Sequence, residues 1–204
     1  MSSQPLSEIP KAAQILAASK AVASALGELE YAIVGGAACS ILGSKRLTGN
    51  VDLVVPKGMT KSARDLLKQK PEAFDIDRRT LHTNYKSSPP IEIEILTPPT
   101  LFKEEFSATT PVFIHAGIRI LKPTLILNAK CGSILSRASA DKKQTDAADI
   151  MFLLSWCDHQ KVMPSNAEAP NAHNEFVKYF VNEYGSPDLW VRAGYDMSRG
   201  RWSH

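Results

Sequence analysis

Two short apolar runs, the first ending in paired glycines, constrain this chain more than any other feature. Tyr31-Ala32-Ile33-Val34 leads directly into Gly35-Gly36. After Arg46-Leu47-Thr48-Gly49 comes a second run, Asn50-Val51-Asp52-Leu53-Val54-Val55, closed by Pro56. Short β-branched runs bounded by turn residues read as buried strands. A paired glycine lacks Cβ atoms, so the backbone N–H groups there can approach a phosphate closely. In the second run the two-residue period puts Asn50 and Asp52 on one face and Val51, Leu53 and Val55 on the other. A dinucleotide-binding turn is the competing reading. It requires Gly-x-Gly-x-x-Gly and an acid near the end of the second strand. Here the third glycine is absent and Asp52 opens its strand, which argues against it.

The remaining patterns surround these strands with both kinds of element. Residues 7–29 have the spacing of an alanine-rich helix ended by Gly27. Residues 37–42 form a brief helix stopped by Gly43, and residues 60–69 a surface helix. Residues 74–86 are mixed, with strand character and a polar edge. Ile91-Glu92-Ile93-Glu94-Ile95-Leu96 alternates cleanly, so one face is apolar and the other carries both glutamates. Residues 112–114 and 118–121 predict a hairpin around Ala116-Gly117. Helices are expected over 124–139, 142–157 and 174–184, with a Pro/Asn/Ala linker at 163–172. Residues 187–204 read as a further helix with a loose basic tail. Strands mixed with helices, then helices alone, predict an α+β (α/β-like) architecture.

Composition narrows the class only slightly. The 204 residues are 44% hydrophobic and 22% charged, ordinary for a globular chain able to bury a core. A net charge of +3 is too small to argue for nucleic-acid binding. Cys39, Cys131 and Cys157 lie far apart in apolar sequence and read as reduced, buried thiols. No apolar run approaches the ~18 residues of a membrane span, and no leader pattern is present, so the expected location is cytoplasmic, without membrane association. His82, His115, His159 and His173 show no metal spacing and read as surface or capping residues. The aromatic residues near the C-terminus read as packing for a helical cap.

In order and spacing, these motifs resemble the active-site signature of the DNA polymerase beta-like nucleotidyltransferases. In that superfamily a Gly-Gly or Gly-Ser turn precedes an Asp-x-Asp pair. Here Asn50 stands where the first aspartate would be, and Asp52 is the second. Glu94-Ile95-Leu96 is similar to the third-acid motif, with Glu92 as the alternate. Residues Pro123 to Lys130, then Arg137, then Lys142, Asp146 and Asp149, resemble the helical segment of the abortive-infection toxin-type members. The resemblance runs from about Tyr31 to Leu154.

It implies a nucleotidyltransferase fold: a mixed twisted sheet flanked by helices, with residues 1–122 as the core and 123–204 as a helical part completing the cleft. It implies Mg²⁺ or Mn²⁺ held by Asp52, Glu94 and Asn50, with Asp52 and Glu94 catalytic. It also implies nucleotide contacts from Gly35, Gly36, Arg46, Thr48, Lys130, Lys142 and Asp146. The expected reaction is transfer of a nucleoside monophosphate from a nucleoside triphosphate to a hydroxyl of tRNA, protein or a small molecule. Asn50 offers a neutral carbonyl oxygen and no charge. The alternative is therefore a degenerate member that binds nucleotide or a partner without turnover. A plain interaction domain is the third option.

Overall fold

The alternation at residues 91–96 and the apolar run at 51–55 become neighbouring strands in the computed structural model, which describes residues 9–203. The chain divides into two compact units between Ile120 and Leu121. In the first, helix α1 (Ala12–Leu26) is built on strong helix formers and ends at Gly27, whose φ of 54° only glycine adopts without strain. The expected start of this helix before residue 9 lies outside the described residues. Strand β1 (Ala32–Val34) runs into α2 (Gly35–Ile41), followed by β2 (Asn50–Val54) and α3 (Thr60–Lys68).

The mixed segment at 74–86 resolves into two strands, β3 (Phe74–Ile76) and β4 (Thr83–Tyr85), paired antiparallel. Strand β5 (Ile91–Leu96) follows, then β6 (Val112–His115) and β7 (Ile118–Leu121). The turn joining β6 and β7 holds Ala116 and Gly117 at φ 50° and 78°, the left-handed pair that a two-residue hairpin loop requires.

One seven-stranded mixed sheet results, in the order β3-β4-β5-β2-β1-β7-β6. Strand β2 lies at its centre, antiparallel to β1 and parallel to β5. The inward faces, Val51 and Leu53 on β2 with Ile91, Ile93 and Ile95 on β5, are buried. Helix α1 packs against α2, α3 and β2. The polar faces of β2 and β5 are thereby left side by side.

The second unit begins with α4 (Pro123–Ile134), started by proline at a position where its missing N–H costs nothing. Helix α5 (Ala140–Gln160) is capped by Ser139, whose Oγ accepts from the Lys142 N–H. Helix α4 is shorter than expected, and Arg137 lies in the connection beyond its end. Helix α6 (Asn174–Tyr184) is capped by the His173 ring, which accepts from the Phe176 N–H.

The expected loose tail is not loose. A short helix α7 (Pro187–Arg192) is followed by a two-stranded ribbon of β8 (Tyr195–Asp196) and β9 (Arg201–Trp202). Trp202 is 2% exposed and packs on Trp190 and Tyr195. Its backbone N–H and C=O are both taken by the Asn166 amide at 3.1 Å. The aromatic residues do build an internal cap, with Phe176 and Phe180 against Trp190. All three cysteines are buried and outside any disulfide. Among the described residues, no helix is long and apolar enough to cross a membrane.

Candidate functional site

Register brings the acids of the central strands together. In the parallel pairing of β2 with β5, Asp52 lies directly opposite Glu94, and Asn50 opposite Glu92. The Asn50 side-chain amide donates to Asp52 Oδ1 at 2.7 Å and to Glu94 Oε1 at 3.1 Å. One neutral amide therefore joins two carboxylates. The alternative acid is occupied elsewhere: Glu92 Oε1 lies 2.7 Å from Nδ1 of His82. That pairing makes Glu94 the partner of Asp52.

The glycines have a structural reason that the sequence reading did not include. Gly35 sits at φ 63°, and a Cβ built there would lie 2.5 Å from Asp52 Oδ2. Gly36 has an ordinary φ, but a Cβ there would collide with the Arg46 guanidinium and come within 2.8 Å of Thr48 Oγ1. Gly35 thus seats the Asp52 carboxylate, while Gly36 admits Arg46 and the buried Thr48. Four of the expected nucleotide contacts, Gly35, Gly36, Arg46 and Thr48, are gathered around the turn that seats Asp52.

The helical residues form a cluster within the second unit. The Lys130 ammonium lies 2.6 Å from Asp146 Oδ1 and 2.8 Å from Asp149 Oδ2. Asp146 also accepts from Arg137 at 2.7 Å and from the Ser133 hydroxyl at 3.0 Å. The Lys130 side chain is only 11% exposed.

Burial alone would push the Lys130 pKa down, but Asp149 and Asp146 outweigh it and hold the amine above its ordinary 10.5. Burial would raise Asp146, yet the hydrogen bond from Arg137 and the charge of Lys130 hold it below the ordinary 3.8. Two cations against two carboxylates make this cluster close to neutral. Its visible work is to tie α4 to α5. Lys142 is exposed in the first turn of α5.

Among the described residues, no three His, Cys, Asp or Glu side chains are arranged to hold a metal. The donor set at the strands is instead two carboxylates and one amide. Sequence reasoning named all three. It missed the hydrogen bonds by which Asn50 links the other two, because the amide's orientation follows from strand register.

The architecture is the nucleotidyltransferase fold. An antigenic nucleotidyltransferase-like protein from Paracoccidioides brasiliensis is similar over 93% of this chain and 94% of its own, at 22% identity and a TM-score of 0.64. A candidate nucleotidyltransferase from H. pylori is similar over 89% of both chains, at 17% identity and a TM-score of 0.57. JHP933 from Helicobacter pylori is similar over 91% of this chain and 89% of its own, at 16% identity and a TM-score of 0.58. No family model matches the chain, and no curated protein matches it. At these identities the likeness establishes the fold alone.

Proposed function

We propose that this protein transfers a nucleoside monophosphate from a nucleoside triphosphate to an acceptor hydroxyl and releases pyrophosphate. The observation that carries this reading is the convergence of Asp52 and Glu94 on a single amide donor beside the Gly35-Gly36 turn. Carboxylates drawn together in this way would be satisfied better by a cation than by a neutral amide. The donor set fits a hard divalent ion: two carboxylates, plus the Asn50 carbonyl once the amide turns over. When bound, Mg²⁺ or Mn²⁺ would supply positive charge against the triphosphate and the departing pyrophosphate.

The chain's own residues do the rest. The glycine turn lets backbone reach the triphosphate, and Arg46 offers a charge-assisted fork to its oxygens. Thr48, packed against Gly36, steadies that arrangement. Glu94 accepts the acceptor's hydroxyl proton as the oxygen–phosphorus bond forms. The bond from the same phosphorus to pyrophosphate breaks in that step.

Asn50 favours a second reading of the same fold, in which nucleotide binds without turnover, because the site is one negative charge short of an Asp-x-Asp pair. Incubation of the pure protein with α-labelled nucleoside triphosphates, Mn²⁺ or Mg²⁺, and a mixed RNA and protein pool tests the two. Label retained on an acceptor, and lost with Asp52→Asn, supports transfer. Saturable triphosphate binding without labelled product supports the second reading.

A further inference from the structure

Beside Glu94 the first unit holds a cavity of about 210 Å³ that the reaction outlined above does not fill. Arg64 of α3 lines it, together with Leu81, His82, Glu92, Glu94 and Leu101. The charges in it are unevenly matched. Glu92 is held by His82 and Glu94 by Asn50. Arg64 enters no hydrogen bond or ion pair among the described residues, and its Nε is buried without an acceptor. A guanidinium carries five donors in a rigid fork and is costly to leave unsatisfied.

The rest of the wall is unusual for a free surface. Leu81 is 48% exposed at φ 62°, a conformation that leucine rarely adopts, and Leu101 is 62% exposed. Exposed leucines flanking an unpaired guanidinium suit a ligand with an apolar or planar body and an oxyanion.

We propose that this cavity is the acceptor site and that it takes a phosphorylated hydroxyl compound, with the phosphate on Arg64 and the hydroxyl toward Glu94. The role as acceptor rests on the transferase reading; the anion site itself does not. A phosphate suits the arginine because two of its oxygens match the guanidinium fork. The same chemistry is carried by a sugar phosphate and by the 3′ end of an RNA strand.

The experiment titrates the protein with ribose 5-phosphate, with a short oligoribonucleotide bearing a free 3′ hydroxyl, and with ribose as the uncharged control. Arg64→Gln and Arg64→Lys are measured alongside the parent. At least one phosphorylated probe should bind the parent measurably more tightly than ribose. Arg64→Gln should weaken that binding ten-fold or more, and Arg64→Lys should recover part of it. If only the oligoribonucleotide binds, the source is an RNA end; if both bind alike, it is a small phosphate.

In the parent, ribose 5-phosphate or the oligoribonucleotide should shift the amide resonances of residues 80–83 and the Arg64 Nε–H. This readout does not depend on any variant folding. Equal affinity in parent and Arg64→Gln, or resonance shifts confined to other regions, would overturn the proposal. So would loss of triphosphate binding in Arg64→Gln to the same degree as the probes, since the cavity would then belong to the donor nucleotide. If the parent binds no triphosphate while Arg64-dependent probe binding persists, the transferase reading falls and the anion site stands.

Discussion

Asp52 and Glu94 face each other across two parallel strands, and the Asn50 amide donates to both at 2.7 and 3.1 Å. A cation-shaped position between two acids is thus occupied by a neutral donor. The consequences of that substitution can be measured.

Asn50→Asp should convert a hydrogen-bonded trio into three crowded carboxylates. Without divalent ions the variant should lose about 1–3 kcal/mol of stability, through two lost hydrogen bonds and like-charge repulsion. Millimolar Mg²⁺ or Mn²⁺ should restore its melting temperature. The parent should respond much less to either ion. Thermal melts with and without metal check this, and a variant as stable as the parent in EDTA would contradict the geometry.

Gly35→Ala combines a left-handed backbone with a Cβ placed 2.5 Å from Asp52 Oδ2. It should cost about 1–3 kcal/mol and displace the carboxylate. Gly36→Ala has no conformational penalty and should act only by pushing Arg46 and Thr48 away. Denaturant melts of the two variants should therefore separate, with Gly35→Ala the less stable.

The buried cluster on α4 and α5 predicts a stability effect in place of a clean binding effect. Lys130→Ala leaves Asp146 and Asp149 without their shared cation and should destabilise the fold by about 3–5 kcal/mol. The pH dependence follows from the two shifts. Lys130 is raised in the folded state, so its contribution is complete below about 10.5 and is lost as pH rises through the higher folded value. Asp146 is lowered, so its contribution is present above about 3.8 and is lost as pH falls through the lower folded value. Urea melts across pH should show a plateau between these limits, flattened at both ends in Lys130→Ala.

Trp202 is buried against Trp190 and Tyr195 in the aromatic cluster of the C-terminal cap. Trp202→Ala should cost about 3–5 kcal/mol, as removal of a fully buried tryptophan does. Tolerance of this change in a chemical melt would show that the β8–β9 ribbon contributes little to the fold.

Strand period and punctuation made much of this structure legible. The alternation at Ile91–Leu96 placed both glutamates on one face, and Ala116-Gly117 marked the turn between β6 and β7. The pairing of Asp52 with Glu94 instead of Glu92 was not legible from composition. It is set by the register of two strands far apart in sequence, and resemblance supplied it. Gly35 and Gly36 were read for phosphate approach, while their Cβ positions are closed by Asp52, Arg46 and Thr48. The C-terminal ribbon escaped notice because two-residue strands carry no period; the buried rings of Tyr195 and Trp202 and the Asn166 amide hold it. Arg64 carried no signal at all, since an arginine on an amphipathic surface helix is ordinary until its partners are counted.

The central claim is that Asp52, Glu94 and Asn50 form a metal-assisted triphosphate site. Calorimetric titration of the parent, Asp52→Asn and Asn50→Asp with ATP and GTP, in Mg²⁺, Mn²⁺ and EDTA, tests it most directly. Binding should be metal-dependent in the parent, tighter in Asn50→Asp, and at least ten-fold weaker in Asp52→Asn. A metal-assisted site is contradicted if the parent and Asn50→Asp bind neither triphosphate nor metal, or if Asp52→Asn binds as the parent does.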